Sequence, residues 1–283
     1  MKKNITLMDG AVGTSLWAKA DAHGWKKDPV WVYNFQHPEI VGELAQEYAD
    51  AGAKIILTNT FGANGPAVKR SSPYAAPDVV AEGVRLAKAA LKGRDVKIAL
   101  AAGPLPQLME PYGDLEEDEV AEIYTEFLTA GVAEGPDIIY LQTFMDLAML
   151  RVATEQAKKF DLPVFCSLTF EKRGRTIMGN SVEDAIRELT PLGIDAIGMN
   201  CSLGPDLAVP VMREFVGKTD LPLIFKPNAG KPILAADGTT GTTYNSKIFA
   251  DDVMPALDFV DYVGGCCGSD PSYIRELASR MKE

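Results

Sequence analysis

Asp137-Ile138-Ile139-Tyr140-Leu141-Gln142 and, beyond a helical stretch over 146–160, Val164-Phe165-Cys166-Ser167-Leu168-Thr169 decide the fold of this 283-residue chain. Both runs are short and almost continuously apolar, as strands are when helices cover the outer face of their sheet. The helical segment between them supplies the crossover that two parallel strands need. Working outward, the alternation holds in both directions. Upstream lie a helix over 117–133, a strand over 97–102 that ends at Gly103-Pro104, a helix over 77–91 and a strand over 54–58. Ahead of these, Ile40, Val41, Leu44, Ala45 and Tyr48 give helical periodicity to residues 38–51, closed by Gly52, and residues 5–9 form a strand stopped by Asp9-Gly10. Downstream, helices over 181–192, 205–217, 246–257 and 271–282 alternate with strands over 195–200, 222–226 and 260–264. Eight strands, each followed by helical material, with no linker or internal repeat, predict one α/β domain over residues 1–283. The expected architecture is a closed (β/α)8 TIM barrel rather than an open doubly wound sheet. Residues 20–33, 62–77 and 228–245 read as long loops, and all three would lie on the face carrying the C-terminal ends of the strands.

Composition excludes several functions. The chain is 47% apolar and 24% charged, with a formal net charge of -11 and no basic run, so neither nucleic acid nor an anionic membrane surface is an expected partner. No stretch is long and apolar enough for a membrane span, and the short apolar run after Lys2-Lys3 does not make a signal peptide. Four cysteines without a secretory signal point to a reducing cytoplasm. Residues 114–119 are the most acidic run and read as a solvated helix start, where carboxylates favour the dipole.

The chemistry concentrates at strand ends. Cys201, in Met199-Asn200-Cys201-Ser202, follows the sixth strand, and Cys266-Cys267, in Gly264-Gly265-Cys266-Cys267-Gly268, follow the eighth. On a barrel these points lie two strands, ~10 Å, apart on the catalytic rim. Three thiolates around Zn²⁺ would leave one tetrahedral position open, as in catalytic zinc sites. Adjacent cysteines in a regular strand point to opposite faces, so a shared metal needs an irregular backbone, which the surrounding glycines permit. A vicinal disulfide and three unrelated small residues are the competing readings of the spacing. Cys166 is read as a small buried hydrophobe. The only two histidines, His23 in a loop and His37 before a helix, supply no base for Asp/His/Ser chemistry. Asp9-Gly10-Ala11, Asn59-Thr60, Gln142-Thr143, Asn200, and Lys226 with Asn228 also stand at strand ends, where a barrel gathers them around one pocket. Lys226 raises a rival chemistry, a Schiff-base lyase, which leaves the cysteines without a purpose.

Taken together, these segments resemble the homocysteine S-methyltransferase family. The matching stretches run from Asp9-Gly10-Ala11-Val12-Gly13-Thr14 through Ala51-Gly52-Ala53, Thr58-Asn59-Thr60-Phe61-Gly62 and Gly103-Pro104. They continue through Met199-Asn200-Cys201-Ser202-Leu203-Gly204-Pro205, Lys226-Pro227-Asn228-Ala229-Gly230 and the Gly264–Gly268 run. Within the family the chain is most similar to the homocysteine-binding module of cobalamin-dependent methionine synthase, with betaine–homocysteine methyltransferase more distant. The resemblance implies Zn²⁺ held by Cys201, Cys266 and Cys267, with homocysteine or a related thiol bound as thiolate and methylated to methionine or another thioether. It further implies substrate contacts at Asp9, Gly10, Ala11, Asn59, Gln142, Asn200 and Asn228, with Asn228 able to fill the open metal position before substrate arrives. A methylated corrinoid would arrive on a separate protein; S-methylmethionine, S-adenosylmethionine and betaine are the small-molecule alternatives. A non-catalytic thiol- or zinc-binding component of a corrinoid methyl-transfer system is the alternative role. One position departs from the family: its Glu-Thr-x-x-Asp pattern, which meets the substrate's ammonium group, reads here Gln142-Thr143-Phe144-Met145-Asp146.

Overall fold

The computed structural model describes residues 5–230, 232–234, 240–242 and 244–282. Its strands are β1 (Thr6–Leu7), β2 (Ile55–Leu57), β3 (Lys97–Ala102), β4 (Ile138–Phe144), β5 (Val164–Leu168), β6 (Ala196–Asn200) and β7 (Leu223–Lys226). A short antiparallel pair, β8 (Pro232–Leu234) with β9 (Thr240–Thr242), precedes β10 (Tyr262–Val263). The eight barrel strands are all parallel, in the order β1-β10-β7-β6-β5-β4-β3-β2. A single parallel bridge, Met8 to Ile55, joins the two ends of that series. Two backbone bonds reinforce it: Lys54 N–H to the Leu7 carbonyl at 2.7 Å and Asp9 N–H to the Ile55 carbonyl at 3.0 Å. With helices between the strands, this is the (β/α)8 barrel expected from the alternation.

The apolar runs are continuous because each strand is buried on both faces. Met8, Ile55, Leu57, Ala99, Ala101, Ile138, Tyr140, Phe165, Ala196 and Ile224 fill the barrel interior. Their strand neighbours Ile56, Leu100, Ile139, Leu141, Val164, Cys166, Ile197 and Phe225 pack outward with the helices in the larger cluster. Cys166 is fully buried there, as its strand position predicts. The acidic run does open a helix, Glu117–Ala133, through a reciprocal capping box between Glu116 and Glu119. Among the described residues, no helix is long and apolar enough to cross a membrane.

Two of the expected loops are more structured than their sequences suggested. Helix Val12–Ala22 reaches into the 20–33 segment, which then folds into a 3-10 turn, Val30–Val32, and a short helix, Tyr33–Gln36. Trp25 stacks between both histidines, 4.4 Å from His23 and 3.5 Å from His37, so tertiary stacking organises a segment with no helical period of its own. His37 stands at the N-cap of helix Pro38–Asp50, the helix-entry place expected of it. Within 62–77, helix Gly65–Ser71 starts at Asn64, whose side chain accepts the Ala67 N–H at 3.1 Å. The 228–245 loop contributes β8 and β9; residues 231, 235–239 and 243 lie outside the described residues.

Candidate metal centre

Strand β7 sets the distance between the two cysteine loops. The Lys226 carbonyl accepts the Cys201 N–H at 3.0 Å, and the next carbonyl, Pro227, accepts the Cys266 N–H at 2.8 Å. Asn228 N–H then donates to Leu203 and Ala229 N–H to Cys267, each at 2.9 Å. One four-residue segment therefore pins both loops by backbone bonds alone.

Past β6 the backbone turns sharply. Cys201 and Ser202 both hold φ at 63°, and Leu203 N–H donates back to the Cys201 carbonyl at 2.8 Å. That closes a γ-turn of the rare, strained hand. Left-handed torsions in non-glycine residues cost about 1–3 kcal/mol each and persist only where the surroundings enforce them. On the other side, Ser269 N–H donates to the Cys266 carbonyl at 3.0 Å, forming a β-turn over 266–269 with Gly268 at φ 83° in the third position. A turn, not a strand, is what lets Cys266 and Cys267 face one point. Gly264 and Gly265 serve differently from the torsional role expected of them. A Cβ on Gly264 would meet the Asp9 carbonyl at 2.5 Å, and one on Gly265 the Ser269 hydroxyl at 2.1 Å.

The result is three free thiols with all sulfur atoms within 4.8 Å of one another, and Cys201 to Cys267 at 3.7 Å. Thiolates bound at ~2.3 Å around a tetrahedral ion stand ~3.8 Å apart, whereas a disulfide needs ~2.05 Å. The spacing suits a shared ion and not a vicinal disulfide. Asn228 Oδ1 is buried without a hydrogen-bond partner, and the Asn228 side chain is among the groups that lower the Cys201 thiol. An orphaned oxygen on the segment that pins both cysteine loops, together with three clustered sulfurs, is a donor set that suits a four-coordinate cation. Hydrogen bonds from Cys266 and Cys267 draw the Cys201 thiol down to about 3. The same contact with Cys201 pushes Cys266 well up and Cys267 up to about 11. A cation bound by these sulfurs would displace thiol protons.

The polar strand-end residues divide by what their side chains already hold. Asp9 is fully buried; Oδ1 meets Lys226 Nζ at 2.5 Å and Oδ2 accepts the Leu57 N–H at 2.8 Å. Burial raises the Asp9 carboxyl and the Lys226 ammonium offsets part of that rise. Gly10 has no room for a side chain, since a Cβ would lie 2.3 Å from the Ser269 carbonyl, and Ala11 N–H bonds that same carbonyl at 2.9 Å. Asn59 donates to the Val30 carbonyl and to Asn34 Oδ1, both at 2.8 Å, clasping the Val30–Val32 turn. Asn200 is engaged on all sides. Gln142, 8% exposed near the end of β4, makes no side-chain hydrogen bond among the described residues, which leaves its amide available.

A homocysteine S-methyltransferase family model matches residues 6–281. The chain belongs to the homocysteine S-methyltransferase family. Family members are S-methyltransferases, and curated relatives include the methionine synthases of Mycobacterium tuberculosis, 29% identical, and Mycobacterium leprae, 28% identical, each over 99% of this chain. The chain spans about a quarter of the length of these relatives, 25% and 24%. Among solved structures, the homocysteine methyltransferase MmuM from Escherichia coli is known in apo, oxidized and metallated forms, with TM-scores of 0.73, 0.79 and 0.78. Each covers 99% of this chain and 97% of that one at 20% identity, a likeness of fold.

Three residues near this family member's rim, Pro227, Tyr140 and Ser167, escaped the reading of its sequence, as did the backbone role of Thr143. Pro227 acts through its carbonyl, for which no sequence signal exists. Thr143 holds φ at 66° in a bulge of β4, a position no β-branched residue advertises. Tyr140 and Ser167 share a buried hydrogen bond at 2.8 Å. Ser167 did carry a signal, being the one hydroxyl at an inward position of an otherwise apolar strand.

Proposed function

We propose that this chain holds Zn²⁺ through Cys201, Cys266 and Cys267 and presents a thiol, homocysteine first among them, for S-methylation to methionine. The observation that carries this reading is the convergence of three sulfurs within 4.8 Å at a rim where Cys267 is exposed. When bound, the zinc supplies an open coordination position at which a substrate thiol loses its proton at neutral pH. The chain's own residues do the rest. Asn228, whose Oδ1 is buried without a partner, would be the residue to offer the metal an oxygen in place of substrate. Helix Val12–Ala22 has no side-chain cap, so its first N–H groups suit the amino acid's carboxylate. Gln142 is the uncommitted acceptor for its ammonium group, and Asp9, Gly10, Ala11 and Asn59 support the walls. No protein base is required, in keeping with both histidines being stacked on Trp25.

The donor side is open and apolar. Phe61, Leu108, Met145 and Ile177 stand exposed on loops that follow β2, β3, β4 and β5. The likeness to methionine synthases about four times as long as this chain favours a methyl-corrinoid over a small donor. The Schiff-base alternative fares badly, since Lys226 is 1% exposed and paired with Asp9. A cytoplasmic location accords with the reduced thiols the site needs.

Metal analysis decides the reading. Reduced protein should carry one zinc per chain, and Cys201→Ala should lose it together with methyl transfer. Purified protein that refuses added zinc would overturn the proposal. Assay of homocysteine with methylcobalamin, S-methylmethionine, S-adenosylmethionine and betaine then identifies the donor. A zinc-loaded protein inert with all of them would instead be a binding component.

A further inference from the structure

Asn200 ends β6 with its side chain fully buried and every polar atom engaged. Its Oδ1 accepts the Thr143 backbone N–H at 2.8 Å and the Ser167 hydroxyl at 2.6 Å. Its Nδ2 donates to Thr143 Oγ1 at 2.7 Å and to Cys266 Sγ at 3.7 Å. Two acceptor sites and two donor protons are all an amide has, so nothing remains for a substrate. The amide cannot be reversed, because the Thr143 N–H can only donate and the oxygen must face it. The NH₂ therefore faces the sulfur. Ser167 gives its one proton to Asn200, so the Tyr140 hydroxyl, 2.8 Å away, must donate to Ser167.

Donors thus run in one direction, from Tyr140 through Ser167 into the amide oxygen and out through the amide nitrogen to Cys266. Each bond polarises the next, strengthening the last N–H as a donor. The β4 bulge belongs to the same device, since the strained Thr143 turns both its N–H and its hydroxyl onto Asn200. Strain of this kind is retained where it positions something.

We propose that Asn200, braced by Thr143, Ser167 and Tyr140, is a positioning residue that aims Cys266 at the metal and withdraws charge from its sulfur. It thereby tunes metal affinity and the nucleophilicity of the thiolate set. The inference rests on the zinc reading above and deepens it. Outer-shell partners of metal ligands commonly change affinity by about 10–100-fold.

The test compares wild type, Asn200→Ala, Ser167→Ala and Tyr140→Phe. Zinc affinity is measured by chelator competition, sulfur-to-cobalt charge-transfer absorption on the Co²⁺-loaded proteins, and thermal unfolding without metal. Asn200→Ala should weaken zinc binding by about 10–100-fold and shift the cobalt band. Ser167→Ala should move both in the same direction by less. Combining Ser167→Ala with Asn200→Ala in one protein should match Asn200→Ala alone, because the serine acts only through the amide. Wild-type affinity and an unmoved band in Asn200→Ala would overturn the assignment; if that variant does not fold, the same result in both Ser167→Ala and Tyr140→Phe overturns it. Wild-type protein that takes up neither metal defeats the zinc reading and this one with it. Loaded wild type with unshifted variants defeats this one alone.

Discussion

Gln142 lies near the end of β4, 8% exposed, and its side-chain amide bonds no described residue. A neutral amide can accept from a substrate ammonium group, but it lacks the charge-assisted component that makes such bonds worth about 1.5–3 kcal/mol. Gln142→Glu should therefore raise homocysteine affinity about tenfold, measured by calorimetric titration of the zinc-loaded protein. A simpler thiol without an amino group should gain nothing, and unchanged or weaker homocysteine binding would remove Gln142 from the substrate site. The three clustered cysteines were legible at this scale because cysteine is scarce in the chain and stands only at strand ends or in the core. Asn59 and Asn200 also stand at rim positions, and the structure shows their side chains hydrogen-bonded to protein groups. Residue type and strand position do not reveal whether a polar atom is already satisfied.

Helix Val182–Leu189 shows what an element owes to its ends. Ser181 Oγ accepts the Asp184 N–H at 3.1 Å, while Asp184 Oδ2 accepts the Ser181 N–H at 2.9 Å. Ser181→Ala should cost about 1 kcal/mol of stability, read from urea denaturation. The backbone N–H and hydroxyl of Ser181, with Arg187, hold the Asp184 carboxyl at about 2, below its ordinary 3.8. A carboxyl depressed in the folded state stabilises above its unfolded pKa and loses that contribution as pH falls through the folded one. The difference between wild type and Asp184→Asn should therefore be full above about pH 5, mostly lost by about pH 2 and gone near pH 1. Most helices were legible to within a few residues from periodicity and caps. Val12–Ala22 and Gly65–Ser71 were not, because glycine, lysine and isolated aromatics interrupt their apolar pattern and the rest of the barrel holds them in place.

Across the whole molecule, the buried Asp9–Lys226 pair spans the region where the barrel is most weakly sewn. It reaches from β7 past β10 to β1, and through Leu57 N–H to β2, across a seam that has one backbone bridge. Breaking a buried pair by removing one partner leaves an uncompensated charge and costs about 3–5 kcal/mol. Lys226→Met should destabilise by that amount in urea denaturation, and adding Asp9→Asn should recover part of the loss. Equal stability of Lys226→Met and wild type would show that the seam holds without the pair.

The alternation of apolar strands with helices determined the barrel from sequence alone, since burial on both faces demands covering helices and a parallel sheet. Strand order then placed Cys201 and Cys266-Cys267 two strands apart on one rim. Only the tertiary structure decided that the sulfurs converge. Convergence depends on a left-handed turn at Cys201-Ser202, a β-turn at Cys266–Ser269 and the carbonyls of Lys226 and Pro227 between them. It also decided which polar side chains are free for chemistry and which are consumed by the fold. Backbone hydrogen bonding and long-range satisfaction of polar atoms leave no mark on residue spacing, because their partners are distant in the chain.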